Sequence, residues 1–331
     1  MSVYLYQGPR MSVQQSSSGG AFTGIVDSFY EKNPMGICYG AAFDENYNVV
    51  HLRADTKEKT SMFRTSKYCF SSYSQTLESV ICDLQENRAV LFSGTPCQIA
   101  ALKKYLGKNS VSMERLLTVD ILCHGSPEAK WWQEYRRWFE KKRKSSISFF
   151  SFRWKMTRWH GYSMYAELKN GKHCVNTHDL QVYMDLYFTH LIMRKSCYSC
   201  QFAKIERISD ITLGDFWGCD AVMPNVLSTN DRQRGVSLIL VNTDKGESIL
   251  EQLKSIITLD SVLKECYSNK YVEYQTALQH PVQKPDYIKQ FEEDYKNQGF
   301  DYILKKYAGY NLRGQLRFDV KKIANLLGLI K

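Results

Sequence analysis

The chain has 331 residues, of which 44% are hydrophobic and 13% aromatic, and its formal net charge is +10. That length and apolar content suit two domains with an extension and exclude a disordered or low-complexity chain. The first ten residues lack a secretory apolar stretch and no run reaches membrane-spanning length, so a cytoplasmic protein without an integral membrane segment is expected.

In chain order, Ser16-Ser17-Ser18-Gly19-Gly20 precedes an apolar, helix-like run over 21–30. Residues 36–43 and 49–53 read as strands joined by the polar turn Asp44-Glu45-Asn46, and 76–86 has helical spacing. The pattern then changes to strand–turn–helix. A short buried strand over 89–92 is broken at Gly94 and followed by a helix over 98–106. A second strand over 116–122 is broken at Cys123-His124-Gly125, and Ser126-Pro127 is read as the cap of a long helix to about 143. A β-rich insertion follows, with an alternating strand over 147–153. Strands over 162–169 and 172–175 are joined through Asn170-Gly171, read as a type I′ turn. An amphipathic helix over 180–193 leads into Cys197-Tyr198-Ser199-Cys200. Strands over 210–213 and 236–242 come next, and beyond about 245 the chain reads as helical, basic and tyrosine-rich. Alternating strands and helices predict an α/β fold with a mixed or parallel sheet core, helices on both faces, a β-hairpin-containing insertion and a helical C-terminal extension. The expected segments are 1–86, 87–245 and 246–331. Sites belong at the carboxyl ends of the strands.

Ten cysteines in a reducing compartment are expected as thiols rather than as a disulfide framework. Thr95 and Gln98 fit a capping box with Pro96 at the first helical position, which places Cys97 in a first helical turn where free N–H groups favour a thiolate. Cys123 follows a strand in the same way. Cys197 and Cys200 form a CxxC pair, and together the four supply the ligand number of a cubane iron–sulfur cluster or of a four-thiolate zinc site. Cys38, Cys69, Cys82, Cys174 and Cys266 are expected to pack as small hydrophobes. Cys219 is held as a reserve ligand or a neighbour of the cluster.

The Ser/Gly stretch at a helix start is a candidate anion site, since helix amides and glycine backbone can approach a pyrophosphate closely. Arg64-Thr65-Ser66-Lys67-Tyr68 adds a basic, aromatic loop. No GxGxxG follows a strand, so a Rossmann-type dinucleotide site is not expected. The positive charge is scattered except at Arg136-Arg137 and over 141–144, with no nucleic-acid-binding signature beside it. Trp131, Trp132, Tyr135 and Trp138 on that basic helix are read as a buried face rather than as base-stacking platforms.

Six ordered motifs, spanning about residues 3–245, resemble the beta-subunit family of coenzyme F420 hydrogenases and dehydrogenases (FrhB/FdhB-like iron–sulfur flavoproteins). They are the run from Ser16 to Phe22, Ser66-Lys67-Tyr68, the run from Phe92 to Gln98, the run from Asp120 to Gly125, Cys197-Tyr198-Ser199-Cys200, and the run from Arg207 to Gly218. The resemblance implies an oxidoreductase carrying FAD and one 4Fe-4S cluster, with Cys97, Cys123, Cys197 and Cys200 as cluster ligands. It implies flavin contacts from Ser17, Ser18, Gly19, Gly20, Ser66, Lys67 and Tyr68, joined by Gly94, Thr95 and Gln98. Lys67 is expected to stabilise negative charge on reduced flavin and His124 to donate a proton. Electrons are expected to pass from an acidic ferredoxin-like donor through the cluster and FAD to a small-molecule acceptor, deazaflavin-like or from a polysaccharide pathway. Relatives often carry a ferredoxin-like domain ahead of the Ser/Gly motif; here a separate donor is expected, which the +10 charge suits. The rival readings are a non-redox accessory or transfer factor in surface polysaccharide biosynthesis with a structural four-cysteine metal site, and a zinc-stabilised nucleic-acid binder. Oligomeric state stays open, a homo-oligomer included.

Overall fold

In the short strand Val90-Leu91-Phe92 every side chain is fully buried, with Val90 and Phe92 on one face and Leu91 on the other. Such an unbroken apolar run belongs to a strand covered on both sides. The computed structural model, which describes residues 1–155 and 163–326, builds the molecule around that strand.

The elements are β1 (Ser2–Gln7), α1 (Arg10–Gln14), α2 (Ala21–Lys32), β2 (Ile37–Phe43), β3 (Val49–Ala54), α3 (Leu77–Gln85), β4 (Val90–Gly94), α4 (Pro96–Lys108), β5 (Leu116–Ile121) and α5 (Ala129–Arg143). They continue with β6 (Ile147–Ser151), β7 (Tyr165–Leu168), β8 (His173–Val175), α6 (His178–Phe188), β9 (Ile211–Asp215), α7 (Cys219–Val222), α8 (Thr229–Arg234) and β10 (Ser237–Val241). The last are α9 (Asp244–Ile256), β11 (Val262–Glu265), α10 (Ile288–Tyr307, broken at Gly299) and α11 (Leu312–Leu326).

Among the described residues, eight strands form one mixed sheet in the order β11-β1-β10-β9-β5-β4-β2-β3. The neighbours β2, β4, β5 and β9 run parallel, while β3, β10 and β11 pair antiparallel to their neighbours. Helices α2 and α9 pack on one face through Ile25, Phe29, Ile249 and Leu253; α3 and α4 cover the other through Val80, Ile99, Leu102 and Leu106. Strands from residues 1–86, 87–245 and 246–331 therefore share one sheet.

A second core joins α5, α6 and α10 to the small sheet β6-β7-β8. Trp131, Trp132 and Tyr135 are its buried centre, so the aromatic face of the basic helix points inward as its spacing predicts. Trp132 packs against Phe150, Phe152 and Tyr183 with ring centroids 4.7–5.6 Å apart.

Several expectations are revised. Strands β1 and β11 were not read from the sequence; β1 is inserted between β10 and β11, so its pairing partners lie more than two hundred residues away in the chain. Helix α5 starts at Ala129 with Glu128 in the cap position, and Pro127 instead bridges to Met193. Helix α6 stops at Phe188, because His190 turns the chain with φ 62°. In the hairpin only Gly171 has positive φ (79°), so the turn is not type I′; a Leu168–Gly171 turn is closed by the Gly171 amide on the Leu168 carbonyl at 2.9 Å. The expected strand start at Tyr162 lies outside the described residues, and β7 begins at Tyr165. Cys82 is exposed rather than packed.

Replacing Trp132 with Ala removes the largest fully buried side chain from the second core. The expected loss is about 3–5 kcal/mol in urea unfolding monitored by circular dichroism.

Candidate functional site

The parallel strands β4, β5 and β9 end at one edge of the sheet, and the chemistry-bearing residues gather there. At the end of β4, Thr95 caps α4: its amide donates to Gln98 Oε1 at 2.9 Å, which completes the expected capping box. Thr95 Oγ1 lies 3.2 Å from Cys97 Sγ. Gln98 Nε2 then donates to the Ser71 carbonyl and hydroxyl at 3.0 Å, and Ser71 Oγ meets His51 Nδ1, also at 3.0 Å. His51, whose Nε2 meets the Ser93 carbonyl at 2.9 Å, is held neutral because burial lowers its pKa to about 4. This polar chain ties the Cys97 turn to residues 69–73.

Cys123 follows β5, and the CxxC segment is laid against the same loop. The Arg194 amide donates to the Ser126 carbonyl at 3.1 Å, Glu128 N to Ile192 O at 3.1 Å, and Ser126 N to Cys197 Sγ at 3.5 Å. The Arg194 guanidinium sits 3.7 Å above the Phe70 ring. A buried ion pair fixes the far side of the segment. Arg207 Nη2 donates to Asp120 Oδ2 at 2.9 Å, and its other nitrogens bind Thr212 Oγ1 and the Phe202 carbonyl. Both partners are at most 2% exposed, and burial raises the Asp120 carboxyl despite the guanidinium beside it.

The four predicted cysteines thus share one neighbourhood. Burial pushes the Cys123 thiol up, and Cys197, Cys97 and Cys200 reinforce the effect; Cys197 is raised by burial and by Cys97 and Cys200 too. Among the described residues, no three His, Cys, Asp or Glu side chains stand close enough to share a single metal ion. Cys219 is buried in a separate core beside Phe216 and Val222 and takes no part.

A cavity of about 600 Å³, within the range of small-molecule sites, opens beside this group. Its wall includes Ser17, Ser18, Gly20, Ser66, Lys67, Tyr68, Gly94, Thr95, Gln98, Cys123 and His124. Gly19 departs from expectation: it is wedged against β10, where a Cβ would stand 2.3 Å from the Tyr6 carbonyl and 2.5 Å from Ser237 N. Its role is close backbone packing. The next residue, Gly20, enters α2 from the left-handed region (φ 84°). The Gly20 cap position offers no side chain to α2 and the Ala21 amide reaches Ser237 Oγ at 3.4 Å, so the Phe22 and Thr23 amides stay available at the cavity. Ser18 Oγ donates to the Val236 carbonyl at 2.8 Å, whereas Ser17 Oγ accepts the Ser66 amide at 2.8 Å and keeps its own proton for a ligand.

Sequence reasoning missed several wall residues. Thr23 Oγ1 is buried at the cavity with no partner among the described residues. Ser237 Oγ receives the Gly19 amide at 2.9 Å. Arg153 and Asp215 form a buried pair at 2.8 Å, and Lys155 donates to the Val13 carbonyl at 2.8 Å and to the Ser18 carbonyl, beneath the Ser/Gly loop. Only Thr23 carried a local signal, as a polar residue on the first turn of an apolar helix.

Lys67 is enclosed by protein and donates to the carbonyls of Met62 (3.0 Å) and Arg64 (2.7 Å); burial lowers its pKa to about 7. His124 faces the cavity, its Nδ1 3.0 Å from Thr276 Oγ1, and burial lowers its pKa. Aromatic groups from Phe188, Trp217 and Tyr274 also line the cavity.

The model of the coenzyme F420 hydrogenase/dehydrogenase beta subunit, C-terminal part, matches residues 87–264. The chain belongs to that family. It is a redox protein of the F420 hydrogenase beta-subunit type. Among solved structures, a chain of the F420-reducing nickel–iron hydrogenase complex from Methanosarcina barkeri, studied by xenon derivatization, matches with TM-score 0.56 and 15% identity. The match covers 91% of this chain and 94% of that one, and at this identity it shows a shared fold. No curated protein matches.

Two outcomes follow from the geometry. Because Lys67 keeps more of its protons when unfolded between about pH 7 and 10.5, the folded state gains stability as pH rises through that window. Urea midpoints of wild type and Lys67→Met are expected to diverge in favour of wild type over that range. Arg207→Met strands Asp120 in the interior and is expected to cost about 3–5 kcal/mol in the same assay.

Proposed function

We propose that this protein is an iron–sulfur flavoprotein oxidoreductase passing electrons from an acidic ferredoxin-like donor to a small conjugated acceptor. Cys97, Cys123, Cys197 and Cys200 would hold a 4Fe-4S cluster, and FAD would lie in the cavity beside them. When bound, the cluster supplies one-electron transfer and the flavin supplies hydride chemistry.

One observation carries the reading: Cys123 belongs both to the group of four thiols and to the cavity wall. The donor set suits the cluster. Cys123 and Cys197, both raised by burial and by neighbouring thiols, would be deprotonated together around a cationic core. The flavin is supported by the unpartnered Thr23 hydroxyl, the free Ser17 proton and the uncapped start of α2, which together offer donors to a pyrophosphate.

Lys67, anchored by two carbonyls, has a third N–H for the cavity and would hold negative charge there. His124, kept neutral near pH 7, would hold or release a proton beside the acceptor. The aromatic groups of Phe188, Trp217 and Tyr274 would stack on a planar acceptor such as a deazaflavin. Lys195, Lys204 and Ile205 are exposed around the CxxC segment with one acid, Glu206, a surface suited to an acidic donor in the cytoplasm.

Anaerobic purification is expected to give a yellow-brown protein with about four iron and four sulfide per chain and extractable FAD. Cys123→Ser should lose the iron while Cys82→Ser keeps it, and Thr23→Val should lower flavin content. A colourless, zinc-loaded protein without flavin would overturn the proposal.

A further inference from the structure

The face of α11 that turns away from the body is apolar. Leu312, Leu316, Val320 and Ile323 are 90%, 67%, 58% and 56% exposed. Three- and four-residue spacing places them in a single stripe along the helix.

A different side of the helix holds it to the protein. His178 Nδ1 meets Gln315 Oε1 at 3.0 Å, and the His178 ring stacks on Phe318 with centroids 5.4 Å apart. Asn311 Oδ1 accepts the Gly314 amide at 2.9 Å and so caps the first turn. Gly314 passes the Gly309 carbonyl where no side chain fits. The stripe therefore has no part in seating the helix, and its exposure costs hydrophobic free energy unless something covers it.

Charge says what covers it. Arg313, Arg317 and Lys321, spaced by four, are all exposed and run along one border of the stripe. The one acid among the described residues of the helix, Asp319, is exposed on the opposite border, where it is bound to Gln315 Nε2 at 3.1 Å and lines a small pocket with Lys322 and His178. The outer surface thus presents large apolar residues with an excess of cations over one acid. An antiparallel second copy docked by a two-fold axis would set this cationic row against itself, and a parallel one would set three cations per copy against a single acid, so charge opposes or only partly satisfies a self-docked face. An anionic lipid surface satisfies both features at once: acyl chains take the stripe and phosphates take the row.

We propose that α11 is a peripheral membrane anchor that lies in the plane of an anionic bilayer surface. The 15 described residues of α11 carry five charged side chains and no described helix is long and apolar enough to cross a membrane, so the attachment is side-on and reversible. The anchor is independent of what the cavity holds.

The test is flotation of the purified full chain with phosphatidylcholine vesicles, with and without phosphatidylglycerol. The chain is expected to float with the anionic vesicles, to stay behind with neutral ones, and to be released by high salt. Leu316→Gln/Val320→Gln should abolish flotation, and Arg313→Gln/Arg317→Gln/Lys321→Gln should weaken it roughly a hundredfold. Both variants should keep the wild-type thermal midpoint, because neither removes a packed side chain. Failure to float with anionic vesicles, or binding indifferent to lipid charge, would overturn the anchor. So would a concentration-dependent dimer in sedimentation that Leu316→Gln/Val320→Gln dissolves, which would make a second copy the occupant.

Discussion

The pair of Arg207 with Asp120 is the interaction on which the candidate site depends. Asp120 sits on β5, three residues before Cys123, while Arg207 follows the CxxC segment by seven residues. The guanidinium clasps that segment from outside by also binding the Phe202 carbonyl. A buried ion pair is an indifferent source of net stability, since desolvation offsets most of the attraction. Its value here is positional. With both charges nearly sealed from water, any shift of the loop would strand one of them, so the segment has one low-energy placement against β5. The amide links from Arg194 and Ser126 hold the other end, and the two cysteines between these anchors inherit a fixed location.

The sheet imposes the matching constraint on the other two cysteines. Parallel strands β4 and β5 are in register from Val90–Leu116 to Gly94–Asp120, so the residues that leave them emerge side by side. Each strand is sealed on both faces and cannot slip by one residue without turning its apolar set around. Cys97 and Cys123 are therefore placed by core packing far from themselves. The polar chain from Thr95 through Gln98 and Ser71 to His51 adds direction: every member has its partners, and the neutral His51 brings no charge to the interior.

These constraints explain which parts were readable in advance. The capping box at Thr95, the strand break at Cys123 and the CxxC pair are local signatures, and the structure reproduces the elements they imply. The strands β2 to β5 and β9 to β10 were equally legible, because apolar runs bounded by glycine or polar turns survive any tertiary context. What escaped was long-range. Strand β1 borrows its partners from β10 and β11, so its run of Val3, Tyr4, Leu5 and Tyr6 carries a strand signal but no sign of where it pairs. Arg153 and Ser237 enter the cavity wall, and Lys155 lies beneath the Ser/Gly loop, from the insertion and from the far end of the chain, and nothing near them in the sequence marks them. Ser126-Pro127 misled because a serine and a proline serve a loop bridge as well as a helix cap; the Pro127–Met193 pairing decided the outcome.

The cavity's electrostatics follow from the same layering. Lys67 on the wall and Lys155 beneath the Ser/Gly loop are each pressed to about pKa 7 by burial, while on the wall Arg153 pairs with Asp215 and Arg64 adds a further guanidinium. Such a site can take up a proton at either lysine as negative charge arrives, so its field adjusts to the ligand. Lys155 reaches the carbonyls of Val13 and Ser18 from below, where α1 gives way to the Ser/Gly loop. Lys67 reaches the carbonyls of Met62 and Arg64, on a loop tied to the Ser/Gly loop by the Ser66 amide on Ser17 Oγ. Both ammonium groups are thus held by backbone and not by carboxylates. Burial alone sets the titration of Lys67, while Lys155 also feels Arg153 and Arg234, which oppose its charge, and Asp215, which favours it. The backbone that forms the cavity also sets where that charge appears.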